Sequence, residues 1–270
     1  MAEGDLDALT SPYGGRLIPG DCREGMASLD KGSVDLIFAD PPYNLSGRGL
    51  RWKGKEMGGD WYMINEGWDR MESGDYLAFT RDWLTQAARV LGPRGSLYVC
   101  CTLHNIGPLM MCLEGLGLKA LNIITWYKTN AMPSMTRRTY THACEYLLYF
   151  AKGPGYTFNY EVVKALNPER RKDGQPKQMR DLWVFPVCQG KERVKGEDGR
   201  ALHPTQKPLA LVERAILASS QPGDLILDPF MGSGTTAVAA HLNGRRWVGV
   251  EANPRYREAT LARLEGLEIP

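Results

Sequence analysis

Leu225-Ile226-Leu227-Asp228-Pro229-Phe230-Met231-Gly232-Ser233-Gly234-Thr235-Thr236 is the stretch on which the fold class turns. Leu225 to Leu227 read as a short strand, the glycines as a tight turn, and Thr235 to Leu242 as a helix stopped at Asn243-Gly244. Working outward, the same alternation recurs. Val34 to Ala39 (VDLIFA) is a continuous apolar run, as expected of a parallel strand buried on both faces. Leu97 to Cys101 after Gly95, Leu121 to Trp126, Tyr146 to Phe150 and Trp247 to Val250 read similarly. Helices are expected from Tyr76 to Leu91, stopping at Gly92-Pro93, and from Leu209 to Ala218 with Thr205 as a plausible cap. A last helix is expected from Asn253-Pro254, an N-cap followed by proline at the first helical position. Strands alternating with helices predict an α/β domain with a mostly parallel sheet.

The chain has 270 residues, one large domain or two small ones at roughly 150 residues per domain. Hydrophobic residues make up 43% and charged residues 24%, ordinary for a globular protein, and the 30 glycines and 17 prolines follow no period. No apolar run approaches the roughly 18 residues of a membrane span. The acidic start, Met-Ala-Glu-Gly-Asp, lacks the regions of a signal peptide, so a cytoplasmic location is expected. Six cysteines (22, 100, 101, 112, 144, 188) form no C-x-x-C pair and read as small apolar residues rather than zinc ligands or disulfides. Four histidines without ligand spacing add no metal site, and none is expected. The net charge of +2 forces no partner. Two stretches break the rhythm: Asn44 to Met71, without periodicity, and Gly153 to Arg200, polar, Pro/Gly-punctuated and net basic from Lys164 onward. Irregular segments of this length are usually functional or disordered.

Two sites carry chemistry. Asp40-Pro41-Pro42-Tyr43 follows the strand 34–39 directly, and ligands of open α/β sheets bind outside the carboxyl ends of strands. The prolines fix the backbone, so the Asp40 carboxylate and Pro41 carbonyl form a rigid acceptor pair beside the flat face of Tyr43, suited to a planar group bearing an NH2. Read by itself, the same tetrapeptide is equally a turn with a capping aspartate. The second site is Asp228 to Thr236, whose glycines admit a ligand to a helix N-terminus. Glu251, at the end of the next strand, is placed to accept hydrogen bonds from ribose hydroxyls. The pair indicates an adenosine-type cofactor, but Gly232-x-Gly234-x-x-Ala237 also satisfies the dinucleotide pattern and leaves its identity open.

Taken together, the two sites resemble those of the S-adenosylmethionine-dependent DNA amino-methyltransferases in the circularly permuted β order. There the D-P-P-Y motif precedes a target-recognition region, which precedes the cofactor glycines. Asn44 after D-P-P-Y, Gly20-Asp21 ahead of the first strand, Trp126-Tyr127-Lys128 and His203-Pro204-Thr205-Gln206-Lys207-Pro208 also match, so the likeness spans nearly the whole chain. The resemblance implies a Rossmann-like, mostly parallel, twisted seven-stranded sheet with helices on both faces. It divides the chain into a catalytic half (1–152, with a mobile loop 44–71), a target-recognition insertion (153–202) and a cofactor-binding half (203–270). It implies S-adenosyl-L-methionine as cofactor and Asp40, Pro41, Pro42 and Tyr43 as catalytic residues. Phe230, Gly232, Gly234 and Thr235 would cradle the methionine end, with Asp228, Ser233 and Asn253 beside them. Glu251 would hold the ribose and Asp21 the adenine ring. Thr205 and Lys207 would close the pocket, and Asp40 would also reach the methionine ammonium.

The function so implied is methylation of the exocyclic amine of a base flipped out of double-stranded DNA. Adenine N6 is favoured because Asp40 and Asn44 resemble the adenine enzymes; cytosine N4 is the alternative, many of whose enzymes carry serine at the position equivalent to 40. Contacts to DNA are expected from Arg48, Arg51, Lys53 and Lys55, from Arg137 and Arg138, and from Arg170, Arg171 and Lys172. Trp61, Trp68 and Trp83 read as packing residues. A homodimer is expected from relatives of this order, and a cognate restriction endonuclease is a possible partner. Rival readings make distinct demands. A nicotinamide-dependent oxidoreductase requires protection by NAD and leaves D-P-P-Y unexplained. Protein or RNA methylation requires label on those polymers but not on duplex DNA. A non-catalytic DNA-binding module requires binding indifferent to Asp40→Ala. Cysteine catalysis at Pro186-Val187-Cys188-Gln189 is disfavoured because a residue intervenes between proline and cysteine and no strand is expected before it in the right place.

Overall fold

A computed structural model of the chain describes residues 15–44, 51–52, 61–62, 71–134, 137–265 and 267. In chain order come β1 (Gly15–Pro19), α1 (Cys22–Ala27), β2 (Val34–Ala39), β3 (Arg51–Trp52), β4 (Trp61–Tyr62), α2 (Ser73–Val90), β5 (Leu91–Cys101) and α3 (Ile106–Gly115). There follow β6 (Lys119–Lys128), β7 (Cys144–Ala151), α4 (Tyr160–Ala165), β8 (Leu182–Phe185), α5 (Leu209–Ser219), β9 (Leu225–Asp228), α6 (Thr235–Leu242), β10 (Arg246–Glu251) and α7 (Pro254–Glu265). The main sheet runs β1-β10-β9-β2-β5-β7-β6-β8, while β3 and β4 form a separate two-stranded ribbon. β7 pairs antiparallel with both neighbours, and every other pairing in the main sheet is parallel.

The continuous apolar strands are explained by two cores. Leu36 and Phe38 of β2, Tyr98 and Cys100 of β5, and Leu147 and Tyr149 of β7 pack with Leu211, Ala215 and Ile216 of α5 and Ala237 and Ala240 of α6. Their neighbours Ile37, Leu97, Val99, Leu148 and Phe150 join Met26 of α1, Trp83 and Leu84 of α2, and Leu109 and Leu113 of α3. Successive strand residues point to opposite faces, so a sheet covered twice needs apolar residues at every position. Trp83 is fully buried, as its reading as a packing residue requires. Cys22, Cys100, Cys101 and Cys188 are buried, while Cys112 and Cys144 are half-buried.

Four details differ from the sequence reading. The main sheet has eight strands rather than seven, because Leu182–Phe185, within the polar stretch, adds alongside β6. Its alternation is too short to stand out: Trp183 is buried while Leu182 and Val184 are exposed. Gly20-Asp21 lies ahead of the strand 34–39 as read, but follows an earlier strand, β1, that the sequence reading did not include. Gly92-Pro93 ends α2 but opens no loop. Leu91 passes straight into β5, and the irregularity is absorbed as a register shift against β2 between Val34 and Leu36. Thr205 does not cap α5; the N-cap is Pro208, and the Glu192 carboxylate accepts from the Leu209 N–H at 2.6 Å instead. The cap at Asn253 is as read, its Oδ1 accepting from Arg255 N at 3.0 Å. Among the described residues no helix is long and apolar enough to cross a membrane.

Candidate active site

Parallel strands deliver their following residues to one edge of the sheet. Asp21 after β1, Asp40 after β2, Asp228 at the end of β9 and Glu251 at the end of β10 therefore converge. Because β7 is reversed, its first residues, Cys144 and Glu145, reach the same edge, next to the last residues of β6. The ends of β1, β2, β9 and β10 surround a cavity of about 300 Å³. Asp21, Asp40, Pro41, Pro42, Tyr43, Thr205, Lys207, Asp228, Phe230, Gly232, Ser233, Thr235, Glu251 and Asn253 all line it. Gly234 does not. Its φ of +81° and its closeness to α7, where an added Cβ would lie 2.7 Å from Thr260, give it a packing role.

The glycine turn is held from all sides. Asp228, buried at 4% exposure, accepts from Phe230 N at 2.9 Å and from the Thr236 hydroxyl at 2.5 Å. Burial pushes its carboxyl up to about 7. The Glu251 carboxylate accepts from Gly232 N and from Asn253 N, each at 2.7 Å, and burial raises its pKa. Thr260 donates to the Gly232 carbonyl at 3.1 Å, and Arg263 to the Ser233 carbonyl at 2.6 Å and to Thr235 at 3.2 Å. Phe230 packs edge-on to Trp83, with ring centres 5.2 Å apart. At Gly232 (φ +54°) an added Cβ would lie 3.1 Å from His203 Nε2, so backbone and imidazole meet with no room for a side chain. His203 is half-buried, packs on Tyr256 and is held neutral by desolvation and by the nearby charges of Lys207 and Arg193, its pKa pushed down to about 3.

Across the cavity the D-P-P-Y turn is fixed by hydrogen bonds as well as by its prolines. Tyr76 donates to the Pro42 carbonyl at 3.2 Å, and Asn105 to that of Tyr43 at 3.2 Å. Among the described residues none donates to the Pro41 carbonyl. Asn44 (φ +55°) accepts from Met71 N at 2.8 Å, closing the ends of the irregular segment together. The Asp40 side chain is paired: Lys207 Nζ donates to Oδ2 at 2.6 Å and the Tyr43 hydroxyl to Oδ1 at 2.8 Å. Lys207 lies 5.2 Å from the centre of the Tyr43 ring and is only 6% exposed. Burial raises the Asp40 carboxyl, opposed by the charge of Lys207. Burial also works against the Lys207 ammonium, but Asp40 and Glu145 outweigh it and hold it above the ordinary lysine range.

Several residues here carried no signal in the sequence. Glu145 accepts from Lys128 at 3.1 Å and from the Tyr43 hydroxyl at 3.3 Å, and stands 3.7 Å from Lys207. Nothing marks a lone glutamate at the head of an apolar strand; only the reversal of β7 brings it to the site. Arg193 donates to the carbonyls of Cys188, His203 and Pro204, and Gln206 bonds Val194 N and the Glu192 carbonyl. The end of the polar stretch thus braces the segment that delivers Lys207. Asp21 is occupied as the N-cap of α1 and in a two-pronged bond to Arg23, which lowers its pKa. A strand, β8, does run directly into Pro186, contrary to the sequence reading, but Cys188 lies outside the cavity wall and burial lifts its thiol to about 11. Arg137, Arg138, Arg170, Arg171 and Lys172 are exposed and stand away from the cavity wall. Arg51 lies on β3, and Arg48, Lys53 and Lys55, like Trp68, lie outside the described residues. Among the described residues no cluster of metal-binding side chains occurs.

The family model described as "DNA methylase" (N6_N4_Mtase) matches residues 34–262. The chain is 40% identical over 266 residues to the Type II methyltransferase M2.DpnII of Streptococcus pneumoniae, covering 95% of this chain and 93% of that protein. It is 36% identical over 257 residues to the Type II methyltransferase M.HinfI of Haemophilus influenzae, covering 93% and 68%. It superposes on the crystal structure of the M1.HpyAVI–SAM complex with a TM-score of 0.65 at 25% identity, over 93% of this chain and 98% of that one. The chain therefore belongs to the N6/N4 DNA methylase family, as an S-adenosylmethionine-dependent DNA methyltransferase.

Proposed function

We propose that the chain methylates the exocyclic amine of a base flipped out of double-stranded DNA, adenine N6 in preference to cytosine N4. The observation that carries this reading is the placement of Asp40 and Pro41 on the wall shared with Gly232 and Glu251. The cofactor fits these residues on structural grounds. Gly232 brings bare backbone to the cavity wall, with His203 filling the side on which a Cβ would stand. Each Glu251 oxygen takes one backbone N–H and retains acceptor capacity for a ribose hydroxyl. Phe230, Ser233, Thr235 and Asn253 flank the methionine and ribose positions, and Thr205 closes the wall. Asp21 would hold the adenine ring with the carboxylate capacity that Arg23 leaves. Asp228 acts from behind by fixing the turn, and Gly234 by letting α6 start against α7.

When bound, S-adenosylmethionine supplies an electrophilic methyl group on a sulfonium. The protein's work is on the amine, a poor nucleophile because its lone pair is delocalised into the ring. Asp40 and the Pro41 carbonyl accept its two N–H bonds, favour a pyramidal nitrogen and stabilise the positive charge that grows there. Acceptors fixed in advance cost no reorganisation at the moment of reaction. To admit the amine, the Asp40 carboxylate shares Oδ2 with Lys207 or gives it up, and the ring of Tyr43 stacks on the base. Pro42 keeps the turn rigid.

Affinity for DNA would come from phosphate contacts by Arg48, Arg51, Lys53, Lys55, Arg137, Arg138, Arg170, Arg171 and Lys172, and sequence choice from the segment 153–202. Asp40 followed by Asn44 supports adenine. A homodimer and a cognate endonuclease, in the cytoplasm with the DNA, complete the reading. The test is nucleoside mass spectrometry of duplex DNA treated with the protein and labelled cofactor. N6-methyladenine is expected, lost at least 1,000-fold with Asp40→Ala, on the order of a removed transition-state contact. N4-methylcytosine alone overturns the choice of base, and full activity of Asp40→Ala overturns the site.

A further inference from the structure

Four charged side chains and a phenol meet behind the D-P-P-Y turn, and the methyl-transfer chemistry uses only part of them. Asp40, Lys207, Glu145 and Lys128 form a chain of ion pairs at 2.6, 3.7 and 3.1 Å, all with side chains at or below 19% exposure. The Tyr43 hydroxyl stands between the carboxylates, 2.8 Å from Asp40 and 3.3 Å from Glu145. Lys207 and Tyr43, the two groups that hold Asp40, are therefore also within reach of Glu145, beside its own partner Lys128. Two carboxylates that share both partners divide their attraction.

We propose that Glu145 is a positioning residue for methyl transfer: it draws Lys207 and Tyr43 partly off Asp40, leaving that carboxylate able to accept the amine, while Lys128 limits how far it does so. The inference rests on the reading of Asp40 as the amine's acceptor. Without Glu145, both donors turn fully onto Asp40, in the direction the incoming N–H bonds must approach. Without Lys128, the Glu145 charge is less neutralised and acts more strongly on the pair beside it. Glu145 touches neither the amine nor the cofactor in this account; it acts through Lys207 and Tyr43.

The roles of the two outer residues have opposite signs. The groups facing Asp40 are Lys207, Tyr43, Glu145 of β7, Cys100 and Cys101 of β5 and Asp228 of β9; among the charges, Lys207 lowers its pKa and Glu145 raises it. Removing Glu145 therefore moves the acidic limb of the kcat profile to lower pH, and removing Lys128 moves it to higher pH, each by about half a unit. The experiment is the pH profile of kcat on duplex DNA for wild type, Glu145→Gln, Lys128→Met and Asp40→Ala, with cofactor binding measured by calorimetry to certify folding. Expected are a kcat about tenfold lower for Glu145→Gln, in line with a misplaced reacting group, a cofactor KM within about twofold of wild type, and the opposed shifts of the limb. If Glu145→Gln does not bind cofactor, the upward shift in Lys128→Met decides alone. Limbs that do not move, or that move together, overturn the inference while inactive Asp40→Ala leaves the acceptor reading standing; active Asp40→Ala removes both.

Discussion

Asp228 sits where a carboxylate is costly to ionise, and this sets a pH dependence. Its folded pKa of about 7 exceeds the unfolded value of 3.8 because burial penalises the charge more than Phe230 N and Thr236 repay it. Between those values the native state keeps a proton that the unfolded chain has released, so stability falls as pH rises through the window and levels off above it. At roughly 1.4 kcal/mol per unit the slope is a few kcal/mol in all. Asp228→Asn, close to isosteric, keeps the bond from Phe230 N at its Oδ1 and meets Thr236 by donating its amide N–H to the hydroxyl oxygen, and is expected to abolish this contribution. Urea unfolding at about pH 5 and pH 8 checks it: the wild type loses roughly 2 kcal/mol or more beyond what the variant loses. An equal loss in both proteins would show that the carboxylate is ionised at no cost. The sequence marked Asp228 as part of the turn; which way its carboxylate points, inward to Thr236, depends on packing with α6.

At the scale of elements, the segment from Cys188 to Pro208 is a brace rather than a loop. Arg193 gathers three carbonyls, Gln206 pins the chain at two points, and Glu192 caps α5. Charge-assisted bonds of this kind are worth about 1.5–3 kcal/mol each and are not additive. Arg193→Ala is expected to cost roughly 2 kcal/mol of stability and to lower kcat more than it raises the cofactor KM, because it frees the segment that aims Lys207 at Asp40. Thermal unfolding together with steady-state kinetics measures both; a stability loss with kcat intact would confine Arg193 to a structural role. The motif His203 to Pro208 was legible as a string of residues, but its support was not. Arg193 lies in a charged stretch where one arginine looks like the next, and distinguishing it requires knowing which carbonyls the fold leaves within its reach.

For the whole molecule, a net charge of only +2 means that any hold on DNA is a matter of local clusters. If Arg170, Arg171 and Lys172 contact phosphates, replacing all three with glutamine lowers the slope of log affinity against log salt by up to about 3, and leaves cofactor binding unchanged. Titration of duplex DNA at several salt concentrations reads this directly, and an unchanged slope removes the cluster from the interface.

The sequence by itself determined the alternation of strands and helices and the two turns that follow strands. Both are local: apolar runs, proline and glycine constrain the backbone wherever they occur. It also determined the order of the motifs along the chain, which carries the family. Tertiary structure decided what faces what. Parallel pairing brings Asp40, Asp228 and Glu251 to one edge, the reversal of β7 adds Glu145, and the joining of β8 makes a polar stretch part of the main sheet. A charge pair such as Asp40–Lys207 spans most of the chain and lies only 2.6 Å apart. Its cost and its strength both come from burial, a property that no residue has until the chain around it has folded.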